Sequence, residues 1–180
     1  MARPATYEDI EALPENQVGQ IVDGELIALP RPSGEHGFAA SRLTQLLSPF
    51  DLGPIGGWWL IGEPELHLAA DVLVPDLAGW RRERLPSPTG KYFELPPDWL
   101  CEILSPSTAR LDRISKMRSC AANGVEFIWL VDPAARTLEA YRREGSGWNR
   151  LGAWEQNETV RAAPFTDLEL QLRHLWAPSP

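Results

Sequence analysis

The chain has 180 residues, 43% hydrophobic and 23% charged, which gives one domain a real core and argues against disorder. Its net charge of −8 excludes loose, sequence-independent coating of nucleic acid, which needs a broad basic face. It does not exclude a nucleic-acid enzyme, because an acidic metal site adds negative charge that a bound cation offsets.

Thr6 to Leu13 reads as a short helix with Thr6 as N-cap, Asp9 three residues on and Pro14 as its stop. Gly19 to Leu29 reads as a hairpin, because Asp23-Gly24 between two apolar runs favours a tight primed turn. Gly34 to Phe50 is an amphipathic helix with Phe38, Leu43, Leu46 and Leu47 on its apolar side. Trp58 to Ile61, Glu65 to Ala69 and Val72 to Trp80 follow as strands. Arg81 to Pro97 is a charged, Pro-rich loop whose length suggests a flap or a dimer contact.

Trp99 to Leu104 is the next strand, and Ser105-Pro106-Ser107 starts a helix that runs to Asn123-Gly124. Glu126 to Val131 is a continuous apolar strand of the fully buried type, closed by Asp132-Pro133. Thr137 to Arg142 returns as an edge strand, and small strands are expected between Trp148 and Trp176. Residues 1–180 are expected to form a single domain. The order strand–helix–strand from Trp99 to Val131 implies a crossover in a mixed sheet with helices on both faces. That is α/β architecture, or α+β by strict count, since strand exceeds helix.

No apolar run approaches the ~20 residues needed to span a bilayer, and Met1-Ala2-Arg3-Pro4 leads into no signal-peptide core. The expectation is a cytoplasmic protein with no membrane partner. Cys101 and Cys120, without a CxxC or a nearby His, read as reduced core residues.

Two strand-like runs each carry one lone carboxylate, Asp76 and Glu102. A charge inside an apolar strand is costly unless paired or cation-bound. Alternation puts Val72, Val74, Asp76 and Ala78 on one face, and Leu100, Glu102 and Leu104 on one face of the second strand. Pro75 cannot join a ladder, so the first strand is bulged or at an edge just where Asp76 projects. If the strands are neighbours, the two carboxylates can converge on one cation. Oxygen ligands completed by water and substrate phosphate suit Mg²⁺ or Mn²⁺ better than zinc. The plainer alternative is that Asp76 caps a turn and Glu102 pairs with an arginine.

There are fifteen arginines but only two lysines, Lys91 and Lys116. Asp112 and Lys116 lie four apart on the predicted helix, as a solvated ion pair would. At ~100° per residue Leu111, Ile114, Met117, Ala121 and Val125 form the apolar stripe, with Lys116 nearly opposite its centre. Periodicity therefore sets Lys116 in solvent.

A longer pattern pulls the other way. Val74-Pro75-Asp76, the run Pro96 to Thr108, Asp112-Arg113, Lys116, Gly124-Val125 and Trp129 to Pro133 together resemble the Uma2 family. Thr6 to Asp9, the Asp23-Gly24-Glu25 hairpin and His36 extend the resemblance over nearly the whole chain. It implies a restriction-endonuclease-like, PD-(D/E)XK-type fold, with a mixed central sheet flanked by helices and extra antiparallel hairpins. It also implies Asp76 and Glu102 as metal-binding acids with the Ile103 carbonyl as third ligand, Mg²⁺ or Mn²⁺ as cofactor, and DNA as substrate. The usual lysine two residues after the acid is replaced by Leu104, and the family's lysine corresponds to Lys116 on the following helix.

Two positions depart from the pattern: Gln20 stands where Glu is common, and Cys120 where Tyr is common. Glu25, His36 and Asp112 are accessory candidates, with Glu63 and Glu65 weaker ones; His67 and His174 read as structural or solvent-exposed. The leading expectation is a metal-dependent endonuclease. The alternative is a decayed site on a binding or regulatory protein; a small-molecule hydrolase has no feature in its support. Trp58, Trp59 and Trp80 offer more aromatic surface than one small core hides, which suggests a homodimer.

Overall fold

The computed structural model describes residues 3–29, 32–106 and 109–178. The chain opens with α1 (Tyr7–Glu11), where Thr6 N–H donates to the Asp9 carboxylate at 2.8 Å. β1 (Val18–Val22) and β2 (Glu25–Leu29) form the expected hairpin. Its turn residues Asp23 and Gly24 have φ of 54° and 78°, the left-handed pair that a type I′ turn demands. α2 (Gly34–Asp51) follows, then β3 (Trp58–Gly62), β4 (Leu66–Leu68), β5 (Asp71–Leu73), β6 (Leu77–Arg81) and β7 (Trp99–Ile103).

After β7 comes a composite helix: α3 (Ala109–Leu111), a π-helical turn (Asp112–Lys116) and α4 (Met117–Ala122). Part of its expected start, residues 107–108, lies outside the described residues. β8 (Phe127–Asp132), β9 (Thr137–Glu144) and β10 (Gly147–Glu155) complete the main sheet. The tail adds the two-residue strands β11 (Thr159–Val160) and β12 (Leu170–Gln171).

The main sheet has the order β10-β9-β8-β7-β6-β3. Its central pair β7–β8 is parallel, spanned by the composite helix, and the other neighbours are antiparallel. A second, four-stranded sheet has the order β2-β1-β5-β4. The mixed α+β architecture agrees with the sequence reading.

Strand alternation divides the interior into two cores. Trp99, Cys101 and Ile103 of β7 and Phe127, Trp129 and Val131 of β8 pack with Ala39, Leu43, Leu47 and Phe50 of α2. Leu100, Ile128 and Leu130 face the other way, onto Met117 and Cys120 of α4. Helices thus cover both faces of the main sheet, and both cysteines are buried and free.

One expected strand is two. Val72 to Trp80 is broken at Val74-Pro75-Asp76, where the chain leaves β5 of the smaller sheet and enters β6 of the larger. Pro75 offers no N–H to either ladder, so the ladder stops there and the chain changes sheets. The tryptophans that suggested a dimer are used inside the chain. Trp58 and Trp80 are buried, while Trp59 lies under Arg82 and donates to the Leu85 carbonyl.

Phe165 is the aromatic hub of the α2-side core, with ring centroids 4.7–5.5 Å from Phe50, Trp58, Trp99 and Trp129. Truncating so enclosed a ring leaves a cavity that four large neighbours cannot collapse into. Phe165→Ala should cost about 3–5 kcal/mol of stability, read as a fall in the urea midpoint at unchanged slope.

Candidate active site

Asp76 occupies the crossing between the two sheets. β6 pairs with β7 through Leu77↔Cys101, which brings Asp76 alongside Glu102 and Ile103. The backbone N–H of Ile103 donates to Asp76 Oδ2 at 2.6 Å and ties the carboxylate to the end of β7. Its other oxygen, Oδ1, lies 3.1 Å from His36 Nε2 in the first turn of α2. Asp76 raises the pKa of His36 through that hydrogen bond, against the opposing effect of burial, and the Ile103 backbone adds to the rise.

Glu102 points to the opposite face of β7 from Cys101 and Ile103 and is 5% exposed. Lys116 Nζ lies 3.1 Å from Glu102 Oε1 and 3.0 Å from Asp112 Oδ1. Burial pushes Glu102 well above the usual carboxylate range; Lys116 opposes this, while Asp112 and Asp76 add to it. For Lys116 burial favours the neutral amine, but Glu102 and Asp112 outweigh it and hold the ammonium above its usual value.

Here the stripe expected from helical periodicity holds at Leu111, Met117, Ala121 and Val125 but fails at Ile114 and in its placing of Lys116. Ile114, placed inside by that count, is 54% exposed, whereas Asp112 and Lys116 are 2% and 3% exposed. Asp112–Lys116 is a π-helical turn, so its residues do not advance at the α-helical angle. The wider turn rolls Lys116 inward over Glu102 and Ile114 outward. The pair is a buried ion pair, not a solvated one.

These groups line one cavity of about 340 Å³, shared with Gln20, His36, Glu63 and Val74. Of the accessory candidates, His36, Asp112 and Glu63 reach it. Glu25 does not: it is exposed beside the turn, at the far end of the hairpin from the Val18 and Leu29 that line the cavity. Glu65 is engaged elsewhere, by Tyr7 at 2.8 Å and His67 at 2.7 Å, and His67 stacks on Tyr92. His174 is exposed. The sequence reading counted Gln20 only as a missing carboxylate. The structure makes it a buried part of the cavity wall, and a lone amide in an otherwise apolar buried run was the available signal.

Four carboxylates, Glu63, Asp76, Glu102 and Asp112, line the cavity with one ammonium, Lys116, so it carries excess negative charge. Among the described residues no cluster of three His, Cys, Asp or Glu side chains is set to hold a metal. Two carboxylates with a backbone carbonyl at Ile103 make a sparse, hard oxygen set, which suits a cation that keeps water and takes further oxygens from substrate. The pKa of Glu102 is raised first by burial, and the Asp112 and Asp76 charges add to the rise, a local negative charge of the kind a divalent cation would neutralise.

Fold and cavity together give a mixed α+β architecture with an acidic centre beside β6 and β7, two inner strands of the main sheet. A family model described as "Uma2: Putative restriction endonuclease" matches residues 4–173, and the chain belongs to that family. The chain is also similar to a solved structure, "a putative nuclease belonging to DUF820 from Anabaena variabilis ATCC 29413". The two are 23% identical over 96% of this chain and 98% of that one, with a TM-score of 0.75, a likeness of fold. Comparison with curated proteins gives no match. Among the described residues no helix is long and apolar enough to cross a membrane.

Removing the ammonium strands two buried acids against each other. Lys116→Met should cost about 3–5 kcal/mol at pH 8. The deficit should shrink as pH falls, because the abandoned carboxylates take up protons more readily folded than unfolded. Urea unfolding at both pH values measures this; a deficit that grows on acidification would contradict the buried pair.

Proposed function

We propose that this chain is a divalent-metal-dependent endonuclease that hydrolyses DNA phosphodiester bonds. The observation that carries the reading is the buried Lys116 ammonium held against Glu102 in the cavity that Asp76 enters. Asp76, Glu102 and the Ile103 carbonyl are the groups that would hold Mg²⁺ or Mn²⁺. When bound, the cation would lower the pKa of a coordinated water and offset charge on the phosphorane-like transition state. Lys116, kept protonated by two carboxylates, serves as a donor that orients the attacking water and steadies developing negative charge. His36 holds Asp76 in place by donating to Oδ1. A homodimer working in the cytoplasm belongs to the same proposal, since two such sites acting together cut both strands of a duplex.

A second reading, a binding or regulatory protein with a closed site, draws on one observation. Both Asp76 oxygens already have donors, and Glu102 Oε1 is taken by Lys116. Calorimetric titration with Mn²⁺ separates the two readings: binding that Glu102→Gln abolishes supports the nuclease, and no binding by wild type supports the closed site.

Asp76→Asn retains the acceptor for the Ile103 N–H, and Glu102→Gln retains the packing. Each should lower metal-dependent nicking of supercoiled plasmid, compared per folded molecule, by at least ~100-fold. Equal nicking by wild type and Glu102→Gln would refute the proposed site. Light scattering at micromolar concentration should give the mass of two chains; a monomeric mass removes the dimer from the proposal.

A further inference from the structure

Gln20 sits in β1, is 1% exposed, and lines the cavity beside Val74, Asp76, Glu102 and Lys116. Which end of a buried amide is oxygen is normally an assignment made from its surroundings. Here the surroundings leave one choice. The Val74 backbone N–H points at Gln20 Oε1, 3.0 Å away, and an N–H donor can be met only by the oxygen. Nε2 is turned away from that bond and has no hydrogen-bond partner among the described residues. An amide nitrogen without a hydrogen-bond partner among the described residues, on a residue that lines the cavity, has N–H donors to offer to whatever enters it.

Two other donors of the cavity wall are already engaged, Lys116 by Glu102 and Asp112 and His36 Nε2 by Asp76, while Ser33 and Ser105 add hydroxyls to the lining. The remaining charged side chain on the wall, Glu63, is acidic. A phosphate diester carries its negative charge on two non-bridging oxygens and needs donors in a site where carboxylates dominate. Gln20 supplies one without adding charge.

Resting on the nuclease reading, we propose that Gln20 Nε2 donates a hydrogen bond to a non-bridging oxygen of the substrate phosphate and so binds and positions the DNA backbone over Asp76 and Glu102.

Gln20 also has a structural task, because its oxygen satisfies Val74 at the start of the crossing to Asp76. The informative variant is therefore Gln20→Glu, which keeps an acceptor for the Val74 N–H and turns the donor into a second anionic oxygen. The probe is a short fluorescein-labelled DNA duplex, bound in Ca²⁺ and followed by anisotropy, with plasmid nicking in Mg²⁺ and Mn²⁺ titration alongside. For Gln20→Glu the expected result is duplex affinity weaker by about tenfold or more, the loss expected for a hydrogen bond to a charged group replaced by repulsion. Mn²⁺ affinity in the absence of DNA should be undiminished, a pattern that a purely structural role would not produce.

Duplex affinity equal to wild type overturns the proposal, and so does a parallel loss of Mn²⁺ and duplex binding, which would make Gln20 a strut alone. If Gln20→Glu does not fold, Gln20→Met, compared per folded molecule, decides: weakened duplex binding with Mn²⁺ binding retained supports the donor, and any other pattern overturns it. Wild type that neither binds nor nicks DNA refutes the nuclease reading and this inference with it. Wild type that nicks alongside an equally active Gln20→Glu refutes the Gln20 donor only.

Discussion

A single ammonium, enclosed between two carboxylates, sets the local structure of the cavity wall. Lys116 is 3% exposed, Asp112 is 2% and Glu102 is 5% exposed, so none of the three could be there alone. The desolvation of such groups is repaid only if each charge keeps its partners, which makes their relative geometry demanding. A regular α-helix would deliver an apolar stripe to the sheet and leave the ion pair in water. The π-helical turn at Asp112–Lys116 is the departure that lets one helix do both jobs. Beyond it, Met117, Cys120 and Ala121 return to the apolar core in ordinary fashion.

The second constraint is the passage from one sheet to the other. Backbone groups leaving a ladder need new partners, and at Val74-Pro75-Asp76 each requirement is met by a different device. Val74 N–H goes to the Gln20 side chain, Pro75 has no N–H to satisfy, and the Asp76 carboxylate takes the N–H of Ile103. The acid is therefore built into the join between the sheets. His36 reaches it from α2, whose remaining inward residues are anchored in the aromatic core around Phe165. The cavity thus borrows rigidity from both sheets and from helices on both faces of the larger one.

Much of this was legible in the sequence where the signal is local. The Asp23-Gly24 turn, the capping pair Thr6 and Asp9, the apolar run of β8 and the lone acids at 76 and 102 all announced themselves. What was not legible came from tertiary context. Alternation across Val72 to Ala78 gave a continuous strand, since nothing local says that its two halves belong to different sheets. Counting at the α-helical angle placed Ile114 inside and Lys116 outside, because a π turn has no dependable sequence mark. The resemblance pattern carried Lys116 to the right place without giving the reason. Glu25 sat beside a recognised motif yet lies at the wrong end of its hairpin.

The charge distribution completes the picture. Among the described residues, arginines such as Arg3, Arg82, Arg113 and Arg161 are paired with carboxylates of the same chain. Most of these pairs are exposed and add little stability individually. Their greater effect is to spend positive charge locally, which keeps a protein of net charge −8 from presenting a broad basic face. On the nuclease reading, a nucleic acid gains little from general electrostatic attraction to such a surface. Its attraction must then be concentrated at the cavity: at the cation that the acidic centre calls for, at the Lys116 ammonium, and at whatever neutral donors the wall still has to offer.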